Sequence, residues 1–206
     1  MTVPVSGTEG YAEEAEALVE RYESLSFAEN HKLILHLIPT AACRVLDIGA
    51  GTGRDAAGFA ALGHRVVAVE PTAEMRTRAM ALHPSPRIEW LDDSLPELAQ
   101  LVARGETFEV VMLTAVWMHL DAAQRQLAMP KVASLVRPGG VMIMSLRYGP
   151  VPPGRRMFAV SADETVGIAA AQGLRLVLRR EGLPASLGQA GVTWTRLAFA
   201  ADSTTA

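Results

Sequence analysis

The stretch VLDIGAGTGRDAA, residues 45–57, runs from an apolar segment into three closely spaced glycines and then into an alanine-rich segment. Glycine lets a backbone approach a ligand closely, and the first N–H groups of a helix have no partner within the helix. The stretch therefore predicts a strand, a tight turn and a helix whose N-terminus faces a bound ligand.

The segments around this turn alternate between two kinds of pattern. Short, nearly continuous apolar runs are typical of strands buried on both faces, and helix-like segments separate them, which predicts a parallel sheet covered by helices. After a helix at 162–172, two strand-like segments, LRLVLRREG and GVTWTRLAF, follow one another and predict a closing antiparallel hairpin. The earlier predicted strands are 45–48, 66–69, 110–113 and 141–146, and the predicted helices are 9–25, 28–37, 56–62, 72–82, 95–103 and 122–135.

The bulk composition limits the class of protein. A chain of 206 residues is large enough for one domain with a substantial core. It contains no apolar run of the roughly 20 residues that a membrane span needs, and its acidic N-terminus lacks the features of a secretory signal, so a cytoplasmic protein is expected. The net charge of −3 lacks the basic signature of a nucleic-acid binder. The single Cys43 excludes an internal disulfide and a structural zinc site.

The glycine turn alone fits two cofactor classes. Gly51, Gly53 and Ala56 satisfy the G-x-G-x-x-G/A fingerprint of dinucleotide-binding proteins, while Asp47 extends the pattern to D-x-G-x-G-x-G. In that longer form, VLDIGAGTG resembles motif I of the class I S-adenosylmethionine-dependent methyltransferases. The segments VVAVEPTAEM, IEWLDDSLPEL, FEVVMLTAVWMHL and LVRPGGVMIMSLR resemble the later motifs of that family and occur in its order. VWMHL and PGGVMIMSLRYGP are most similar to its bacterial small-molecule members of the tellurite-resistance type.

The resemblance, which covers residues 45–199, implies the architecture. We expect an α/β, Rossmann-like sheet of seven mostly parallel strands with a reversed last strand and helices on both faces. An N-terminal helical cap is expected over residues 1–40, the methyltransferase domain over 41–200, and a disordered tail over 201–206.

The resemblance also implies S-adenosylmethionine as cofactor and a set of residues that bind it. The glycines would pass under its methionine and ribose portions, and Glu70 would accept hydrogen bonds from the ribose hydroxyls. Asp47 would order the turn and the amino end of the cofactor, or merely cap turn N–H groups. Asp92 and Asp93 compete for the adenine amino group, and Ser94 is alternatively a helix N-cap. The predicted cofactor-binding residues are Asp47, Gly49, Gly51, Gly53, Glu70, Asp92, Asp93 and Thr114.

Three residues are candidates for catalysis or substrate binding. His119 follows the strand predicted over 110–113, which corresponds to the fourth strand of the family, and is the candidate general base, or else it only begins the next helix. Arg147 and Tyr148 follow the strand predicted over 141–146, which corresponds to the fifth, where ligands bind in open α/β sheets. Arg147 suggests a substrate carboxylate or phosphate, although a structural salt bridge explains it equally well. Among the other candidates, Trp117 either lines the pocket or packs, and Arg155 and Arg156 are expected in a mobile rim. Tyr11, Tyr22 and Phe27 belong to the N-terminal helices, which in the family commonly lie over the cofactor as a lid, although their helical spacing favours core packing.

These patterns predict an enzyme that transfers a methyl group from S-adenosylmethionine to an oxygen, nitrogen or sulfur atom of a small molecule, with an anion among the possible acceptors. No metal is expected. Two alternatives remain at this stage: an enzyme that consumes the cofactor itself without methyl transfer, and a dinucleotide-dependent oxidoreductase. A nucleic-acid substrate is disfavoured because no appended basic module is evident, and no membrane partner is expected.

Overall fold

The computed structural model describes residues 5–203, which form a seven-stranded sheet with seven α-helices around it. Two short 3₁₀ helices, Leu35–Leu37 and Trp117–His119, supplement them. The strands are β1 (Arg44–Ile48), β2 (Arg65–Val69), β3 (Ile88–Leu91), β4 (Phe108–Leu113), β5 (Val136–Tyr148), β6 (Leu174–Pro184) and β7 (Thr193–Ala201). The helices are α1 (Ala15–Glu23), α2 (Phe27–His31), α3 (Arg54–Ala61), α4 (Ala73–Leu82), α5 (Ala99–Ala103), α6 (Ala122–Leu135) and α7 (Ala162–Ala170).

The strands lie in the order β3-β2-β1-β4-β5-β7-β6. Strands β1 to β5 pair in parallel, whereas β7 is antiparallel to both of its neighbours, β5 and β6. The predicted seven-stranded sheet with a reversed last strand is therefore confirmed. The reversal follows from the short hairpin connection, because parallel neighbours would need a crossover of a dozen residues or more.

Two apolar clusters cover the two faces of the sheet. Consecutive strand residues point to opposite faces, so Leu46 and Val111 belong to one cluster, while Val45 and Val110 belong to the other. All four side chains are completely buried. The near-continuous apolar runs in the sequence thus have the expected cause, which is burial on both sides of a central parallel sheet.

Three predicted helices differ from the structure by several residues at an end. The helix expected over 9–25 forms only from Ala15 to Glu23, after a series of turns. The segment expected to be helical over 95–103 forms α5 only from Ala99 onwards, after a turn at 95–97. Ser94 therefore does not cap it. The helix expected over 28–37 divides into α2 and a 3₁₀ turn, and a capping box between Ser26 and Glu29 sets the start of α2 at Phe27.

The expected tail over residues 201–206 begins later in the structure, and both ends of the chain lie outside the described residues. Ala201 belongs to β7 rather than to a tail, because its backbone pairs with Leu174. Asp202 and Ser203 follow the strand outside regular structure, and residues 204–206 and 1–4 lie outside the described part of the chain.

The helices of the N-terminal segment pack beside the glycine turn. Ala15 and Leu18 of α1 form a small buried cluster with Met75 of α4. The Phe27 ring of α2 lies 4.9 Å from the Phe59 ring of α3. These contacts hold α1 and α2 at the side of the sheet where the parallel strands end.

Candidate functional site

A cleft of about 550 Å³ lies at the carboxyl ends of the parallel strands. Residues directly after β1, β2 and β4 line it, namely Gly49, Glu70 and Thr114, together with Arg147 near the end of β5. The N-terminal segment lines it as well, from Val5 to Tyr11 and along α1. This is where open α/β sheets bind ligands, and the volume is that of an ordinary small-molecule site.

The glycine turn shapes one wall of the cleft. Gly49 and Gly51 have left-handed φ values of +71° and +56°. A Cβ on Gly49 would lie 2.4 Å from Val116 Cγ2, so the absence of a side chain at Gly49 allows Val116 to pack directly against the turn. Beside Gly51 the nearest heavy atom to a Cβ would be the Gly49 carbonyl oxygen at 4.0 Å, which leaves open space next to the backbone.

Gly53, the third glycine of the motif, has a different place. It is the N-cap of α3 and is not among the residues that line the cleft. A Cβ on Gly53 would lie 2.8 Å from Trp90 Cη2, so its lack of a side chain allows α3 to pack beside β3. The proposed cofactor contact of Gly53 is not supported by this position.

Glu70 joins the glycine turn to β2. Its Oε2 accepts the Gly51 N–H at 2.9 Å, and its Oε1 accepts the Thr72 N–H at 2.8 Å. Burial raises the pKa of the Glu70 carboxyl, and the backbone hydrogen bonds oppose that rise. The carboxylate is therefore fixed at the edge of the open space beside Gly51, with lone pairs left for a ligand.

Four buried polar atoms from residues of the cleft have no hydrogen-bond partner within residues 5–203: Ser6 Oγ, Asp47 Oδ2, Thr114 Oγ1 and Arg196 Nη1. Burial without a partner costs free energy. Burial first and the nearby Asp55 charge second raise the pKa of Asp47 well above its ordinary value. A ligand with hydrogen-bond donors would supply what Asp47 lacks.

The structure separates the two adjacent aspartates. Asp92 is exposed, lies outside the cleft lining and forms an ion pair with Arg76 at 2.9 Å. Asp93 lines the cleft, and its two carboxylate oxygens accept the N–H groups of Ser94 and Leu101, both at 2.9 Å. Only Asp93 is therefore placed to meet a ligand.

His119 lines the cleft and forms a hydrogen bond with Tyr11. Its Nδ1 lies 2.8 Å from the Arg156 carbonyl oxygen, which can only accept, so Nδ1 carries the proton. Its Nε2 lies 3.1 Å from the Tyr11 hydroxyl oxygen and accepts a hydrogen bond from that hydroxyl group. Burial lowers the pKa of His119, which favours the neutral ring. Trp117, by contrast, is completely buried in the core and packs there.

Tyr11 lines the cleft and contacts His119, whereas the sequence favoured core packing for it within the expected N-terminal lid. The sequence carries no local signal for its contact with His119, because 108 positions separate the two residues. Its position depends on Arg155, whose guanidinium lies 4.4 Å from the Tyr11 ring centroid and 2.8 Å from Glu14 Oε2. The Arg155 side chain is only 5% exposed, so it does not belong to a mobile rim.

Arg147 and Tyr148 differ in orientation. Arg147 lines the cleft, and its Nη1 lies 3.8 Å from Met157 Sδ. Within residues 5–203 no carboxylate forms an ion pair with it, so the salt-bridge explanation lacks a partner. Tyr148, the next residue of the strand, points away, packs against the core and does not line the cleft.

A buried hydrogen-bonded pair, His31 and Asp55, lies beside the glycine turn. His31 Nε2 lies 2.7 Å from Asp55 Oδ2, and Arg54 Nε donates to Asp55 Oδ1 at 2.9 Å. These two partners hold the pKa of Asp55 well below its usual range, against the effect of burial. Because His31 lies in α2 and Asp55 in α3, the pair fixes the N-terminal segment to the helix that follows the glycines.

The middle of the chain resembles known proteins in sequence. Residues 45–140 match the family model of a methyltransferase domain. The matched residues span β1 to the first part of β5. An uncharacterized methyltransferase of Mycobacterium tuberculosis is 34% identical over 111 residues, which are 50% of this chain and 40% of that protein. The chain thus aligns with about two fifths of the length of that relative.

Solved methyltransferase structures share the fold over nearly the whole chain. The 1,6-didemethyltoxoflavin-N1-methyltransferase of Burkholderia thailandensis, solved with S-adenosylhomocysteine, has a TM-score of 0.69 at 21% identity and covers 98% of this chain and 94% of its own. The N-methyltransferase NodS of Bradyrhizobium japonicum, also in complex with S-adenosylhomocysteine, has a TM-score of 0.70 at 19% identity and covers 92% and 97%. The fold is therefore the Rossmann-like methyltransferase fold, and the tellurite-resistance subgroup stays a prediction.

Two features are absent from the part of the chain that the structure describes. No group of three or more His, Cys, Asp or Glu side chains between residues 5 and 203 is arranged to hold a metal ion. Over the same part of the chain, no helix combines the length and apolar character needed to cross a membrane.

Proposed function

We propose that the protein is an S-adenosylmethionine-dependent methyltransferase that acts on an oxygen, nitrogen or sulfur atom of a small molecule. The observation that carries the proposal is the cleft wall formed by Gly49, Gly51, Glu70 and the unpartnered Asp47 Oδ2. The methyltransferase match over residues 45–140 and neighbours solved with S-adenosylhomocysteine support the same cofactor.

The residues of the cleft fit the polar groups of that cofactor. Glu70 has lone pairs for the ribose hydroxyls, and Asp93 has them for the adenine amino group. Asp47 Oδ2 is a buried acceptor that suits the amino group of the methionine portion. The open space beside Gly51 allows the ligand to pass close to the backbone. The bound cofactor supplies a methyl group already activated by a positively charged sulfur.

The protein then has to align the acceptor, exclude water and remove a proton when the acceptor atom carries one. We assign proton removal to His119, which is neutral and presents its unprotonated Nε2 to the Tyr11 hydroxyl. The acceptor passes its proton to Tyr11 Oη while the Tyr11 proton moves to Nε2, so the ring ends protonated and the tyrosine neutral. The N-terminal segment, including Ser6 and Tyr11, covers the reacting atoms.

The test is isothermal titration of the protein with S-adenosylhomocysteine. We expect the wild type to bind S-adenosylhomocysteine. The affinity of Glu70→Ala should be lower by about tenfold or more, because a charged hydrogen-bond acceptor is removed. The affinity of Glu74→Ala should be unchanged. Glu74 is the matched control, since it is an exposed glutamate in the first turn of α4.

A parallel titration with NADH tests the dinucleotide alternative. Binding of NADH in place of S-adenosylhomocysteine, or equal cofactor binding by the wild type and Glu70→Ala, would overturn the proposal. When an acceptor is supplied with S-adenosylmethionine, S-adenosylhomocysteine should form in step with the methylated product.

A further inference from the structure

The carboxylates that line the cleft away from the glycine turn already have partners. Glu14 pairs with Arg155, and Asp55 pairs with both His31 and Arg54. Glu29 accepts hydrogen bonds from the Ser26 hydroxyl and N–H. None of these carboxylates pairs with a further arginine in the part of the chain that the structure describes.

Three arginines of the same cleft, Arg21, Arg147 and Arg196, form no ion pair with a carboxylate within residues 5–203. Arg21 is exposed on α1, whereas Arg147 and Arg196 lie on the sheet. The side-chain hydrogen-bond partner of Arg147 in this part of the chain is Met157 Sδ, and Arg196 donates its Nη2 to Asn30 O at 3.1 Å and to Asn30 Oδ1 at 3.0 Å, both uncharged groups. Arg196 is 9% exposed, and its Nη1 has no partner among residues 5–203. The Asp55 charge acts on Arg196 from a distance, but Asp55 is already engaged by His31 and Arg54.

The register of the sheet brings the two arginines to one face. Arg147 lies opposite Trp194, and Ser145 lies opposite Arg196, in the antiparallel β5–β7 pair. Residues directly opposite each other share a face, and diagonal neighbours are about 7–8 Å apart. Arg147 and Arg196 are such diagonal neighbours, with Trp194 beside them, and all three line the cleft.

Buried or half-buried positive charge without a counter-ion is costly. We propose that the acceptor is a small planar carboxylic acid, whose carboxylate is bound by the Arg147 guanidinium while its body packs against Trp194 and Met157. Arg196 lies deeper in the wall and contributes positive charge rather than a direct contact. This inference rests on the proposed function, because it places the acid in the half of the cleft that the cofactor leaves free.

The surroundings favour a carboxylate over a phosphate group. A guanidinium binds either anion through two parallel hydrogen bonds. A phosphate with two negative charges calls for further direct donors, whereas Arg147 contacts the Met157 thioether and lies opposite Trp194, and Arg196 lies deeper in the wall. One guanidinium fork beside these two apolar groups therefore matches a singly charged, flat group.

The experiment is a calorimetric titration of the protein saturated with S-adenosylhomocysteine. Benzoate is the probe, benzamide is its uncharged isostere, and inorganic phosphate is the third ligand. We expect the affinity for benzoate to be about tenfold or more higher than that for benzamide or phosphate. Arg147→Gln should lower the affinity for benzoate by a similar factor. Arg175→Gln is the control and should change nothing, because that side chain is 67% exposed on β6.

Arg196 requires two variants because it is buried. Arg196→Lys and Arg196→Gln both lose the hydrogen-bond geometry toward Asn30, but only the second loses the charge. We expect benzoate affinity to be retained better in Arg196→Lys, with thermal unfolding measured for both. Equal affinity in the two variants would overturn the role of the Arg196 charge.

The remaining outcomes separate the two proposals. Failure of the wild type to bind S-adenosylhomocysteine would refute the proposed function before any acid is added. Normal cofactor binding with benzoate affinity that is absent, or unchanged in Arg147→Gln, would refute only the acid site. Weaker S-adenosylhomocysteine binding by Arg147→Gln, with benzoate unaffected, would assign Arg147 to the carboxylate of the cofactor instead. Tighter binding of phosphate than benzoate would overturn the choice of a carboxylate.

Discussion

The Tyr11 hydroxyl lies 3.1 Å from His119 Nε2 and joins the N-terminal segment to the loop after β4. The same histidine donates its Nδ1 proton to the Arg156 carbonyl oxygen, in the loop after β5. One imidazole ring therefore links three segments that are distant in sequence. The link sets which ring nitrogen is free to accept a proton, and it places that nitrogen at the cleft.

The first prediction concerns the titration of His119. Burial already lowers its pKa, and the Tyr11 hydroxyl stabilises the neutral ring by donating to Nε2. Replacement of Tyr11 by Phe should therefore raise the pKa of His119 toward its ordinary value of about 6.5. NMR titration of the histidine ring signals measures this shift. His64, whose pKa burial also lowers, is an internal control that should not respond.

The same titration predicts the pH dependence of methyl transfer. A neutral His119 accepts a proton, so methyl transfer should be retained as the pH falls to 6.5 and should decline below that value, through the lowered pKa. The decline should begin at higher pH in Tyr11→Phe. A wild-type His119 that titrates above 6.5, or one that does not respond to Tyr11→Phe, would contradict the proton path.

The second prediction concerns Asp47, whose buried Oδ2 lacks a partner. Asp47→Asn removes the buried charge, so the free energy of unfolding without ligand should stay equal or rise, while S-adenosylhomocysteine should bind about tenfold more weakly. Urea denaturation and calorimetry measure the two quantities. If the carboxylate only orders the turn, the opposite pattern should appear, with lower stability and unchanged affinity.

The third prediction separates backbone strain from steric overlap at Gly49. Gly49→Ala should cost about 1–2 kcal/mol for the left-handed conformation and about 1–3 kcal/mol more for overlap with Val116. Gly63→Ala is the matched control: Gly63 has a φ of +93°, and nothing lies within 4 Å of an added Cβ there. Adding Val116→Ala should recover the overlap cost alone. Equal losses of stability in Gly49→Ala and Gly63→Ala would contradict this account.

The fourth prediction concerns the buried His31–Asp55 pair. His31→Leu should lower the free energy of unfolding at pH 7 by about 3 kcal/mol, because the buried Asp55 carboxyl then keeps only Arg54 as a side-chain partner. His36→Leu, at an exposed histidine of the neighbouring 3₁₀ turn, should cost little. Urea denaturation of both variants measures the difference.

The pH dependence of the same pair has a definite sign. The lowered pKa of Asp55 contributes stability that is present above the unfolded-state value of about 3.9 and is lost as the pH falls further. The fall in stability between pH 5 and pH 2 should therefore be smaller in His31→Leu than in the wild type. An equal fall in both proteins would show that His31 does not hold that pKa down.

The local patterns of the sequence predicted six of the seven strands and one wall of the site, whereas β3 was included only through the seven strands that the family resemblance implies. Apolar runs such as Val45–Ile48 predicted buried parallel strands, and the hairpin composition predicted the reversed β7. The glycine turn and Glu70 were identifiable because their function depends on residues adjacent in sequence, at the end of a strand. The ends of the helices were predicted less accurately than the strands, since α5 begins at Ala99 rather than at Leu95.

Long-range packing decided the rest. Whether Asp92 or Asp93 faces the cleft, and whether Arg147 or Tyr148 does, depends on which side of the strand or loop is covered by other elements. The Tyr11–His119 contact and the placement of Arg147 beside Arg196 arise from segments that only the folded sheet brings together. The sequence alone determined six of the seven strands, the order of the motifs and the glycine turn, because short-range patterns encode them. Only the tertiary structure decided which side chains share the cleft, because neighbours in space there are distant in sequence.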